Sequence, residues 1–169
     1  VDLFIKKIIG PKFDSSSLKT AAYFCKHDLV SQIVGEFPEL EGIMGGKYLL
    51  REGHSEEVAL AVLEHYLPRG SSDHLPQSDS GAILAIAERF ELLLSIFIKG
   101  ERPTGSSDPF ALRRAGNGIL QILWEKKWNF NLYELLNQSI NHWVAILPDF
   151  EVTFKELFND LSFFFRQRI

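Results

Sequence analysis

Leu18, Ala22, Cys25, Leu29, Ile33 and Phe37 recur at steps of three or four residues behind Ser15, Ser16 and Ser17. That is the spacing of one helix face behind hydroxyl caps, and it predicts a single amphipathic helix ending near Pro38. Pro38 suits the first turn of a following helix, whose apolar side would be Leu40, Ile43 and Met44. Gly42, Gly45 and Gly46 weaken that helix, and imply either close approach of another backbone or a break after Met44. Ser55 followed by Glu56 and Glu57 starts another helix, with Val58, Ala61, Val62 and Tyr66 on its buried face. Pro68 stops it, and residues 69–80 are rich in Ser, Asp, Pro and Gly without an apolar period, so they read as an exposed loop.

Residues 81–99 are apolar on several sides through Ile83, Ile86, Phe90, Leu93, Leu94 and Phe97, which predicts the central helix. After Gly100, residues 101–107 make a short connection. Asp108 is placed as a cap and Pro109 as the first residue of a helix through Leu112, Ile119, Ile122 and Leu123. Asn131 and Thr153 start two more, the second with Glu156 in a capping box and Leu157, Leu161 and Phe164 on one face. No strand-like alternation and no internal repeat is visible. The expectation is an all-α bundle of about seven helices.

Composition supports one folded domain. The 169 residues are 46% hydrophobic and 24% charged with a net charge of -4, which excludes a disordered acidic chain. The longest apolar runs, such as 82–87, are far too short to span a bilayer, which needs roughly 18 residues. Cys25 is the only cysteine, so no internal disulfide forms, and Val1 opens without a basic targeting region. The chain reads as intracellular and as a piece of something longer. Mild acidity argues against coating nucleic acid by bulk charge and leaves room for a local basic patch.

Four features carry candidate chemistry. His27-Asp28 pairs two residue types that ligate divalent cations, with His54, His65 and His74 as candidate partners; helical phosphohydrolases of the HD class use such a dipeptide, and a solvated pair is the plainer reading. Residues 100–107 lead polar groups into a helix start, an arrangement that can take an anion, although a turn and a cap explain it without one. Arg113 and Arg114 stand in the first turns of a helix, where they oppose its dipole unless Asp108, Glu101 or a phosphate faces them. Lys126 and Lys127 lie between Trp124 and Trp128, a pairing able to stack single-stranded nucleic acid, though tryptophans at this spacing are more often core. The run Phe163-Phe164-Phe165 with Arg166 and Arg168 reads as a terminal helix docking on a neighbour.

Three stretches together resemble the β subunit of the bacterial-type, two-subunit glycyl-tRNA synthetase. They are Asp28-Leu29-Val30 through Glu36-Phe37-Pro38-Glu39-Leu40-Glu41-Gly42-Ile43-Met44-Gly45; Glu64-His65-Tyr66-Leu67-Pro68-Arg69 with Leu75-Pro76; and Pro103-Thr104-Gly105-Ser106-Ser107-Asp108-Pro109-Phe110-Ala111-Leu112-Arg113-Arg114-Ala115. Order and spacing match over roughly residues 21–136. The resemblance implies an HD-like helical fold over about residues 15–127, with C-terminal helices over about 128–169, in one helical domain of a longer β subunit. In that family the α subunit carries the chemistry with ATP and Mg, and the β subunit chiefly recognises tRNA.

This piece is therefore expected to lack the aminoacylation site and to hold no cofactor. Its expected partners are the α subunit, tRNA-Gly and the remaining β-subunit domains, in the cytoplasm or, in a plant, the plastid. Candidate tRNA contacts are Arg69, Arg102, Arg113, Arg114, Lys126 and Lys127. Two departures from the family pattern weaken a metal reading: relatives commonly lack a His at position 27, and the family's Ala-Asp-Lys-x-Asp stretch stands here as Ala87-Glu88-Arg89-Phe90-Glu91. The segment before Ala21 also departs from the pattern. A metal-dependent phosphohydrolase built on His27, Asp28 and His65 is the rival reading, and a structural spacer without a ligand is the third.

Overall fold

The computed structural model describes residues 15–146 and 153–169; most of the divergent N-terminal segment lies outside them. Among the described residues the protein is all-α: α1 Ser16–Phe24, α2 Gln32–Glu36, α3 Ile43–Arg51, α4 Glu56–Glu64, α5 Asp79–Ile98, α6 Leu112–Lys126, α7 Leu132–Ile146 and α8 Phe154–Arg166. Short 3-10 turns occupy His27–Val30 and Pro38–Leu40. The apolar residues of α5 are buried along most of its length, and α4 and α6 pack on it. One buried cluster runs from Leu18 in α1 to Phe165 in α8.

The helix predicted over residues 16–37 is broken into α1, a 3-10 turn and α2, with Lys26 in the left-handed region at φ 71°. The cause lies in Asp28, which is 3% exposed. Its carboxylate turns inward and accepts the N–H groups of Gly42 at 2.7 Å and Gly45 at 3.0 Å. These are amides at the start of α3 that have no partner within that helix, so Asp28 caps it from a distance in sequence. An unbroken helix would present Leu29, Ile33 and Phe37 to the core; all three are exposed, and Val34 is buried instead.

Of the two readings of the glycines, close approach is the one observed. The chain turns at Gly42, with φ 75°, and α3 continues through Met44. A Cβ on Gly46 would stand 2.8 Å from the carbonyl oxygen of Ala59, so the missing side chain lets α3 lie against α4.

Polar residues close the loops. Ser55 caps α4 by accepting the N–H of Val58. Glu64, at the end of α4, is buried; it accepts the N–H groups of Gln77 and Ser78 and the Ser78 hydroxyl, while Ser78 caps α5 through Gly81. The loop expected over residues 69–80 is therefore tethered, with Pro76 buried and its last two residues already in α5. Arg89 of α5 donates to the carbonyls of His65 at 3.1 Å, Tyr66 at 2.8 Å, Pro68 at 3.0 Å and Ala85 at 3.0 Å.

Asp108 caps α6, but Pro109 is not its first residue. The chain passes Pro109 and Phe110 as a turn, takes a left-handed step at Ala111 (φ 54°) and enters α6 at Leu112. The two Asp108 oxygens then accept the N–H groups of Leu112 at 2.8 Å and Arg113 at 3.0 Å. Asn131 starts α7 by accepting from Tyr133 and Glu134. Thr153 precedes α8 without a side-chain cap bond, so the predicted capping box is not closed there. Leu157, Leu161 and Phe164 are buried on α8 as the spacing predicts. Phe165 is buried beside them and Phe163 is exposed.

The strength of these ties is measurable. Asp108→Ala removes both acceptors of the first α6 amides and is expected to destabilise the fold by about 2 kcal/mol, read by denaturant unfolding. Arg89→Met keeps most of the stem but strips the donors from buried carbonyls, and should cost about 3 kcal/mol. Equal midpoints for wild type and either variant would show that the corresponding tie does not hold the fold.

Candidate nucleic-acid interface

The six candidate cations divide by what already holds them. Arg69 donates to the carbonyls of Glu39 at 2.8 Å and Glu41 at 2.6 Å, with its guanidinium 5.8 Å from the centre of the Tyr66 ring. Arg102 is fixed more completely. It pairs with Asp160 of α8 through Nε at 2.9 Å and Nη2 at 2.5 Å, donates to the carbonyls of Phe97 and Glu101, and lies 4.3 Å over the Phe97 ring. Lys126 has a side chain only 16% exposed and donates to Gln77 O at 2.7 Å and Asp79 Oδ1 at 2.8 Å. These three tie one part of the fold to another.

Arg113, Arg114 and Lys127 are different. Arg114 is exposed and makes one long bond, 3.3 Å to the carbonyl of Arg69. Among the described residues the side chains of Arg113 and Lys127 make no hydrogen bond or ion pair, and no carboxylate lies within 4.0 Å of the Arg113 or Arg114 guanidinium. The oxygens of Asp108 are engaged by backbone amides. An acid at the N-terminus of α6 thus offsets the dipole without neutralising either arginine.

The two arginines face different surfaces. Arg114 lines a basin of about 480 Å³ with Lys26, Arg69, Arg89 and Phe110, and the acids Glu88, paired with Lys26, and Glu91 line it too. Arg113 lines an open depression with Asn117, Gln167 and Arg168. In the sequence Arg168 stands out only as part of a docking helix; nothing local marks its approach to a residue 55 positions earlier.

Residues 100–107 use their polar backbone internally, since Thr104 and Ser107 bond to each other in both directions, at 2.9 and 2.6 Å. Trp124 is 60% exposed rather than core, and Trp128 is half-buried with Lys126 5.7 Å from its ring.

The residues of the rival metal reading stand in three environments. His27 is exposed, its ring edge-on to Tyr23 and Phe24, whereas Asp28 is buried at the start of α3, so the pair is not uniformly solvated. His65 is wholly buried; its Nδ1 lies 2.5 Å from the Val62 carbonyl, to which it donates, and its Nε2 lies 3.8 Å from Glu88. Glu88 is paired at 2.6 Å with Lys26. Burial holds His65 below the ordinary imidazole pKa against the opposing influence of Glu88, and burial followed by Glu88 raises the Cys25 thiol. His54 packs on Phe24, and His74 is in the exposed loop. Among the described residues no three His, Cys, Asp or Glu side chains converge as a metal-binding group. No helix among them is long and apolar enough to cross a membrane.

The family model for the glycyl-tRNA synthetase β subunit matches residues 3–169. The glycine–tRNA ligase β subunit of Acaryochloris marina is 46% identical over 155 residues, covering 92% of this chain and 21% of the relative. That of Trichodesmium erythraeum is 46% identical over 156 residues, with the same coverages. The Synechocystis protein is 50% identical over 132 residues, or 78% of this chain and 18% of its own length. The chain thus spans about a fifth of the relatives it matches, and on these matches it belongs to the glycyl-tRNA synthetase β-subunit family.

Proposed function

We propose that this chain is the part of a glycine–tRNA ligase β subunit that helps position the tRNA acceptor end, for ATP-dependent attachment of glycine by an α subunit in the cytoplasm. The observation carrying this reading is the state of Arg113 and Arg114: two guanidinium groups in the first turn of α6, without a carboxylate on either, on a chain of net charge -4. Intramolecular structure accounts for Arg69, Arg102 and Lys126, and leaves these two and Lys127 for an external anion. Phosphate contacts of this kind orient an RNA without reading its sequence. The names of the relatives point to the same ligand class.

The test uses the full-length β subunit with its α subunit and measures tRNA affinity at several salt concentrations. Arg113→Ala with Arg114→Ala should weaken binding and flatten the logarithmic salt slope by about 0.7 to 0.9 for each phosphate that is no longer neutralised, with the melting temperature retained. An unchanged slope would overturn the role given to this pair.

A further inference from the structure

The depression beside Arg113 lies between the first turns of α6 and the end of α8. It is open, about 570 Å³, and its lining is Arg113, Asn117, Gln167 and Arg168. All four can donate hydrogen bonds and none is an acid.

Arg168 is held firmly there. Its guanidinium lies 3.5 Å over the Phe164 ring, and its Nη1 donates to the Phe164 carbonyl. The seat for this arrangement is Gly116 of α6. A Cβ at that position would stand 2.6 Å from Cε1 of Phe164 and 3.3 Å from Cδ of Arg168, so the absent side chain admits both. The Nε of Arg168 is shielded from solvent and has no hydrogen-bond partner.

Electrostatics alone would not choose this arrangement. Burial opposes the charge of Arg168 most, and Arg113 opposes it further. Asp108 is near enough to favour that charge, but its oxygens are engaged by the amides of Leu112 and Arg113. Like charges brought to one depression are favourable when an oxyanion sits between them.

We propose that Arg113 and Arg168, assisted by the amides of Asn117 and Gln167, form a clamp for a phosphate oxyanion. Guanidinium forks match the oxygens of a phosphate, and neutral amides add donors without adding charge. The assignment of that phosphate to an RNA backbone rests on the tRNA-positioning reading; a free phosphate offers the same oxygens. The clamp adds Arg168 to that reading and separates the role of Arg113 from that of Arg114, which faces the other basin.

The experiment compares full-length wild-type β subunit, assembled with its α subunit, with Arg113→Gln and Arg168→Gln. Arg113→Gln removes no observed side-chain bond and so tests the clamp even if Arg168→Gln loosens α8; Arg168→Lys keeps the charge without the fork. Salt-dependent tRNA binding forms one arm and thermal stabilisation by inorganic phosphate the other. The clamp predicts that each Gln variant weakens tRNA binding about tenfold and flattens its salt slope, that the double variant is less than additive, and that Arg168→Lys recovers only part of the affinity. Loss of the phosphate-induced stabilisation in both Gln variants with tRNA binding unchanged would keep the clamp and overturn its RNA assignment. Absence of tRNA binding by wild type would count against the tRNA reading and leave the phosphate arm to decide the clamp. Normal melting with neither arm altered by Arg113→Gln would overturn the clamp.

Discussion

The guanidinium of Arg89 organises the part of the fold on which the candidate surface stands. From the middle of α5 it reaches the carbonyls that end α4 and those of the chain leading to Pro68, while accommodating one carbonyl of its own helix. Burial opposes its charge, and the converging carbonyl dipoles supply the compensation. Lysine could not serve as well, because a single ammonium lacks the planar fork that meets several acceptors at once. Gly118 of α6 lies beside the same group, and a Cβ there would come within 2.9 Å of Arg89 Nε. One side chain therefore joins α4, α5 and the exit to Pro68, and α6 packs closely over it. The carbonyl of Arg69, one residue beyond Pro68, then meets Arg114.

Carboxylates do the complementary work at amides. Asp28 serves the start of α3, Glu64 the approach to α5 and Asp108 the start of α6. In each case a charged group satisfies backbone donors that the helix or turn leaves open. The same division explains why the basic residues are unequal: Arg89, Arg102 and Lys126 join elements, whereas Arg113 and Arg114 carry charge that no carboxylate of the described structure answers. The proposed tRNA role rests on the cations that remain after the architecture has taken its share.

Helix identity was legible where a long apolar period met no cap from a distant residue. The expected helix over residues 81–99 is observed as Asp79–Ile98, and Val58, Ala61 and Val62 are buried as their spacing predicts, while Tyr66, expected on the same face, lies beyond the end of α4 and is half-buried. The break at Lys26 was not legible, because its cause is a bond from Asp28 to amides 14 and 17 residues away. Asp108 was recognisable as a cap, but the left-handed step at Ala111 moved the helix start three residues beyond Pro109. Site residues were the hardest to rank. Arg102 and Arg113 look equally available in the sequence; the approach of Asp160, 58 residues from Arg102, and the carbonyls of Phe97 and Glu101 distinguish them.

The division between architectural and available charge is tested most directly on the architectural side, with Arg102→Met and Lys126→Met in the full-length β subunit assembled with its α subunit. Melting temperature and the salt slope of tRNA binding are measured together. Both variants should melt lower, because Asp160 and Asp79 lose their partners, and both should keep the wild-type slope. A flattened slope with an unchanged melting temperature would contradict that division, placing these two cations on the RNA instead of within the fold.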